Sequence, residues 1–320
     1  MIASKGSRAP NGVSIIETLP SWDTLTPDEQ KAYAKADRLW NGWRAHEESA
    51  YLMYKDKIGE SDIVLDMSWA KWSYMSKKDE IVGLCHSIQP YQTPPPREFP
   101  MLMGVSNGHA RFLCARIHRP HRVAWNPVNV EDMELRSAKE DRFVSLNRIM
   151  ATKGIHLFLD AVEKANVKAD VVGDDSTLVP DQNYVSAIKE RCKKSANAQY
   201  YGLVEDKTRN KLLERAKALV CMKDGGYEEI FGLMAVEALA CGTPVIAARS
   251  WGFEDIIEHG KTGLLCDNFD QVVEAIKAVA SGAVRFDPLA CRAGAERFKR
   301  SVVTKQLAQT LEAVRKGSRW

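Results

Sequence analysis

Two glutamates stand eight positions apart in Glu229-Ile-Phe-Gly-Leu-Met-Ala-Val-Glu237-Ala-Leu-Ala-Cys-Gly242. Gly232 lies where a helix would begin, and the Ala/Leu/Met/Val body over 233–241 is a strong helix former. Gly242 ends the pattern and Pro244 bars its continuation. A helix N-terminus exposes unpaired N–H groups and the positive end of the helix dipole. Around Gly232 the backbone can approach a phosphate closely, so the stretch is a credible anion site. Glu237, about one and a half turns into the helix, can reach a sugar diol beside that phosphate. Upstream, Leu146-Asn147-Arg148 ends an apolar run and Lys153-Gly154 opens the next helical pattern. Two cations so placed suit a diphosphate, the arginine as a planar fork and the lysine as a point charge.

These residues need a frame, and the pattern around them supplies one. From Arg142 onward strands are expected at 142–146, 168–172, 199–203, 218–222, 244–248 and 262–266. Helices are expected at 153–165, 184–195, 206–216, 233–241, 270–281, 286–298 and 302–315. Regular alternation implies a doubly wound parallel sheet with ligands at the carboxyl ends of its strands. The first part alternates less regularly. Strands are expected at 12–18, 61–66, 80–85, 101–105 and 122–125, with a helix near 108–116. A further helix running to about Ile58 starts at a capping box formed by Thr26 and Glu29. Pro90–Pro96 is a loop, and Asn126–Asp132 is the expected interdomain linker.

At 320 residues the chain should hold two ordinary domains. The composition is 45% hydrophobic and 27% charged, and the net charge of +3 is too small to argue for a nucleic-acid partner. Seven scattered cysteines have no metal-ligand spacing and read as small buried hydrophobes in a reducing compartment. No apolar run approaches a membrane span of about 20 residues, so the expected location is the cytoplasm, with peripheral membrane contact left open.

The Glu229–Gly242 string, followed by Thr243-Pro-Val-Ile, resembles the E-x7-E signature of retaining GT-B glycosyltransferases, in particular glycosyltransferase family 4. Arg148 and Lys153 resemble the same family's G-R-x-x-x-x-K-G, with Asn147 where glycine is usual. Val172-Gly173-Asp174-Asp175 resembles its V-G-x-G, with aspartate at the second glycine. The resemblance implies two Rossmann-like domains facing a cleft. They would be residues 1–126 on the acceptor side and 127–300 on the nucleotide-sugar side, with 301–320 packing back on the first. It also implies that the first domain is shortened, because the family's opening strand, Gly-rich loop and helix have no counterpart here. A second copy of the chain covering the incomplete sheet is one way to meet that.

By the same resemblance, Arg148, Lys153, Glu229 and His86 are the catalytic candidates. Gly173, Leu203, Val204, Phe231, Gly232, Leu233 and Glu237 would bind the donor: 203–204 the nucleobase, 231–233 sugar and phosphate, and Glu237 the ribose. Ser106-Asn107 could line the acceptor side, while Asp255 and Gly260-x-Thr262-Gly263 read as architectural. Trp40, Trp43, Trp69 and Trp72 are crowded into the first domain, where core packing competes with stacking on an acceptor sugar or a place at a membrane interface. The Asp174-Asp175 pair reads as turn-capping. The sequence holds no D-x-D triplet, so neither a metal nor another cofactor is expected. The implied reaction moves a hexose, with retention, from a UDP- or GDP-type sugar to a hydroxyl on a sugar, a lipid-linked sugar or a small molecule. The alternatives are a catalytically weak nucleotide-sugar-binding module and a sugar-nucleotide epimerase; a phosphorylase is disfavoured because no segment resembles a pyridoxal-binding lysine.

Overall fold

The computed structural model describes residues 2–3, 16–17, 25–26, 28–29, 32, 43–67, 78–85, 101–117, 122–176, 179 and 181–320. His86, His118, His121, Trp40, Trp69, Trp72 and the Pro90–Pro96 loop lie outside the described residues. The chain divides into two units: one of residues 1–104, 110–122 and 308–320, the other of 105–109 and 123–307.

In the second unit, strands β7 (Arg142–Leu146), β8 (Lys168–Val172), β9 (Ala198–Gly202), β10 (Ala218–Cys221), β11 (Val245–Ala248) and β12 (Gly263–Cys266) form one six-stranded sheet in the order β12-β11-β10-β7-β8-β9. Every pairing is parallel. The interior strands are mostly apolar and buried, as a sheet covered on both faces requires, and the buried Asp170 of β8 is paired with Arg142 of β7. Among the helices, α3 (Ile155–Ala165) packs on α8 (Phe269–Ser281), while α6 (Leu233–Ala240) packs on α5 (Asp206–Arg215) and α9 (Pro288–Ala295). The chain winds outward from β7 through β8 to β9, then returns to β10 on the other side of β7. The switch point, where a doubly wound sheet binds ligands, therefore lies at the carboxyl ends of β7 and β10.

Two expected helices are shorter than the pattern predicts, and one helix is additional. Residues Ala151–Lys153 form a 3-10 turn closed by Gly154 at φ 62°, so Lys153 precedes α3 instead of opening it. The helix expected over 286–298 spans Pro288–Ala295, with Asp287 accepting from the Leu289 N–H, and continues as a 3-10 turn over Glu296–Phe298. The additional helix, α7, covers Trp251–Ile256, and Arg297 holds its end by donating to the carbonyls of Asp255 and Ile256. The expected linker is stapled in place: Val128 N–H donates to Phe298 O at 2.9 Å, and Arg300 N–H to Val128 O at 3.1 Å.

In the first unit, β3 (Val64–Asp66), β4 (Ile81–Leu84) and β5 (Met101–Gly104) run parallel in a four-stranded sheet completed by β6 (Arg122–Val123). Helix α1 (Trp43–Glu60) supplies Tyr51 and Ile58 to a core shared with Ile81, Cys85, Leu102 and Leu113. Of the strand expected over 12–18, Ile16–Glu17 is described; it pairs in parallel with Ile2–Ala3 as a separate two-stranded sheet. The capping box is formed: Thr26 N–H donates to Glu29 Oε2 at 2.7 Å, and Glu29 N–H to Thr26 Oγ1 at 3.3 Å. Helix α2 (Asn107–Ile117) begins in the second unit, where the Ser106 Oγ accepts from the His109 N–H.

Candidate active site

At the switch point the turn after β7 is laid against the loop after β10. Asp224 N–H donates to Thr152 O at 3.0 Å. A Cβ on Gly154 would come within 2.7 Å of the Met222 side chain, so this contact and the positive φ both demand glycine. The turn thereby aims Lys153 across to the second loop. Its Nζ donates to Glu229 Oε2 at 2.5 Å and to the Tyr227 hydroxyl at 2.7 Å, and stands 4.5 Å from the centre of the Tyr227 ring. Burial alone would depress the Lys153 pKa, but Glu229 and Tyr227 outweigh it and hold the ammonium above its ordinary value. Burial, with Glu229 adding to it, pushes the Tyr227 phenol up, so Tyr227 stays neutral at physiological pH. The sequence signal for Tyr227 was only its place two residues before Glu229; its role appears once the fold closes the loop.

The Glu229 backbone is gripped by the start of α7. Its N–H donates to Ser250 Oγ at 2.6 Å, and its carbonyl accepts from the Gly252 N–H at 2.8 Å. Ser250 in turn donates to Glu228 Oε2 at 2.6 Å, and Lys223 holds the other oxygen of Glu228 at 2.6 Å. Neither Ser250 nor Glu228 was readable as a positioning residue from spacing. Both also line a hollow of about 430 Å³ at the ends of β10, β11 and β12, beside Lys223, Arg249, Asp267 and Phe269; Lys153, Glu229 and Glu237 are not among its walls.

Gly232 caps α6 at φ 93°, and a Cβ there would meet the Phe253 ring at 2.6 Å. Phe231 is buried, edge-on to Phe298 at 5.5 Å, and its carbonyl lies against Gly252, where a Cβ would approach to 2.2 Å. Leu233, the first residue of the helix, is exposed. Glu237 is the one charged residue of α6, flanked by buried Ala235, Val236, Ala238 and Leu239. Burial raises its pKa; Arg209 opposes the rise and Asp206 adds to it.

Arg148 turns to Asp174, with Nε 3.6 Å from Oδ2, and remains largely exposed. Among the described residues no ion pair joins it to Glu229 or Glu237. Gly173, at φ 152°, is fixed by its neighbour strand: a Cβ would lie 1.6 Å from the Asn147 carbonyl oxygen. The close approach that this glycine permits is therefore to Asn147. Asp174 accepts from the Ser176 N–H, closing a turn. Asp175 gathers the end of β9, accepting from Tyr200 OH at 2.9 Å, Leu203 N–H at 3.3 Å and Lys189 at 2.7 Å. Leu203 is exposed and Val204 half-buried. Asp255 is a hub that receives Asn107 N–H at 2.8 Å, the Asn107 amide at 3.1 Å and Trp125 Nε1 at 3.1 Å. That ties Asn107 to the scaffold. Among the described residues no His, Cys, Asp and Glu side chains gather as a metal-ligand group, and no helix is long and apolar enough to cross a membrane.

Residues 131–286 match the family described as Glycosyl transferases group 1. D-inositol 3-phosphate glycosyltransferase of Pseudarthrobacter chlorophenolicus is 41% identical over 102 residues, 31% of this chain and 23% of the relative. N-acetyl-alpha-D-glucosaminyl L-malate synthase of Bacillus anthracis is 44% identical over 52 residues, 16% of this chain and 14% of the relative. The matched stretches thus span less than a quarter of these relatives' length. Sucrose-phosphate synthase of Thermosynechococcus elongatus superposes with a TM-score of 0.69 at 19% identity, over 95% of this chain and 84% of that one. Anabaena HepE, solved in complex with UDP and glucose, gives a TM-score of 0.65 at 18% identity, over 82% of this chain and 81% of that one. With its two parallel sheets and these likenesses, the chain has the GT-B fold, and residues 131–286 are similar to the group 1 glycosyl transferases.

Proposed function

We propose that this chain is a retaining hexosyltransferase that moves a sugar from a nucleoside diphosphate, of the UDP or GDP type, to a hydroxyl acceptor without a metal ion. The observation that carries the reading is the Lys153–Glu229–Tyr227 cluster at the switch point, three residues ahead of the Gly232 cap. An ammonium has three N–H donors. Two are engaged by Glu229 and Tyr227, and the third is left for a phosphate oxygen. Glu229, fixed through its peptide, presents its carboxylate to sugar hydroxyls.

In the proposed step the acceptor oxygen attacks the anomeric carbon as the bond to the phosphate oxygen breaks. The acceptor proton passes to that leaving oxygen on the same face, which retains configuration. Charge grows on the diphosphate, where Lys153 and the N–H groups of α6 lower its energy, joined by Arg148 when the anion draws it from Asp174. Cationic side chains in this place support metal independence. The relatives named above act on inositol 3-phosphate and L-malate, which favours a small polar acceptor over a polymer. A location in the cytoplasm, where activated sugars are made, fits this donor class. Stability midpoints measured with UDP, GDP, ADP and their sugars test the reading, since a ligand of the folded state raises them. One nucleotide series should stand out, and product anomers read by NMR should match the donor. No shift with any nucleotide would overturn it.

A second reading, a nucleotide-sugar-binding module with weak activity, draws on the family match lying wholly outside the first 130 residues. Donor binding with neither transfer nor donor hydrolysis would favour it.

A further inference from the structure

Helix α6 reads Leu-Met-Ala-Val-Glu-Ala-Leu-Ala, and Glu237 is its one polar side chain. The carboxylate is only 15% exposed. Among the described residues it accepts no hydrogen bond, and its one ion pair is with Arg209 of α5, Nη2 lying 3.4 Å from Oε1. Arg209 is itself steadied by Asp206, one turn earlier on α5, with Nη1 3.2 Å from Oδ1. A nearly buried carboxylate with a cation on one side and unfilled lone pairs is built to accept from something else. Two adjacent hydroxyls would fill those lone pairs.

We propose that Arg209 is a positioning residue: from the neighbouring helix it aims the Glu237 carboxylate at the two ribose hydroxyls of the donor nucleotide. This rests on the donor-site reading above. Arg209 approaches a single oxygen, so it orients the group without occupying it. It also keeps the carboxylate ionised against the burial that favours the acid form. The titratable groups that face Glu237 are Arg209 and Asp206 on α5 and Cys241 at the end of its own helix. Cys241 is a neutral thiol pushed up to about 12 by burial. Arg209 is therefore the one cation among them.

The test compares binding of UDP and GDP with that of their 2′-deoxy counterparts, from pH 6 to 8.5, by calorimetry. Wild type should prefer the ribonucleotide at every pH. Glu237→Gln should abolish that preference. Arg209→Met should cost about tenfold in ribonucleotide affinity, the equivalent of one charge-assisted hydrogen bond from the ribose to a misaligned Glu237. The 2′-deoxynucleotides, which keep one of the two hydroxyls, should lose less. Arg209→Lys should restore most of the affinity, and it serves as the readout if the methionine variant folds poorly. A preference that survives Glu237→Gln, or is missing in wild type, overturns the donor-site reading together with this inference. A preference lost in Glu237→Gln but untouched by either Arg209 variant overturns the inference alone. Equal weakening of ribo- and deoxynucleotide also does so, because it marks a packing role.

Discussion

Replacing Lys153 by methionine keeps the stem of the side chain and removes the charge that faces Glu229. Opposite unit charges at the observed 2.5 Å attract by roughly 7 kcal/mol at an effective dielectric of about 20. Desolvation of two ions that are each less than a fifth exposed offsets most of this, leaving a coupling of about 2 kcal/mol. A double-mutant cycle isolates it: Lys153→Met, Glu229→Gln and both together, each unfolded in urea. Lys153→Met alone should cost the most, because it strands a carboxylate whose peptide Ser250 and Gly252 will not release. The double variant should recover part of the loss. In kinetics, Lys153→Met should lower kcat by roughly a hundredfold or more, the cost of one donor to a developing anion, while KM for the donor changes less. Additive stabilities within about 0.5 kcal/mol, or a kcat within a few-fold of wild type, would refute the coupled role.

Three further outcomes follow from the geometry. Gly173→Ala should destabilise by at least about 3 kcal/mol, seen as a drop in the urea midpoint, because its Cβ would overlap the Asn147 carbonyl. Ser250→Ala removes the acceptor of the Glu229 N–H and should lower kcat about tenfold with a smaller loss of stability; unchanged turnover would show that Gly252 suffices to hold the loop. Lys139, donating to Glu214 O, Cys241 O and Thr243 Oγ1, has its pKa lowered to about 8, by burial first. The unfolded chain then binds more protons than the folded one between about pH 8 and the ordinary lysine value. Stability of wild type relative to Lys139→Met should therefore rise with pH across that window, as urea midpoints will read.

The second sheet was legible almost residue for residue because its strands are short apolar runs between helices with clear caps and stops. The candidate site could be named from sequence where one stretch of chain carries it, as over Glu229–Gly242. Helix α7 escaped because Trp251–Ile256 is too short to show a period and begins Trp-Gly-Phe. It is held instead by contacts from far along the chain, Gly252 on Phe231 and Arg297 on its last carbonyls. Tyr227, Ser250 and Arg209 escaped for the same reason, since each gains its role from a partner that only the fold brings near. Gly173 shows the converse. Its presence was readable, but what it lets close in was not.

The Asp255 hub bears on how the second unit can be cut free. A fragment begun at the Asn126–Asp132 turn would leave both Asn107 and Trp125 behind, and Asp255 would lose all three of its incoming donors. A fragment begun at residue 105 would keep them. The natural border of this folding unit runs through space, and along the chain it falls some twenty residues earlier than the visible joint.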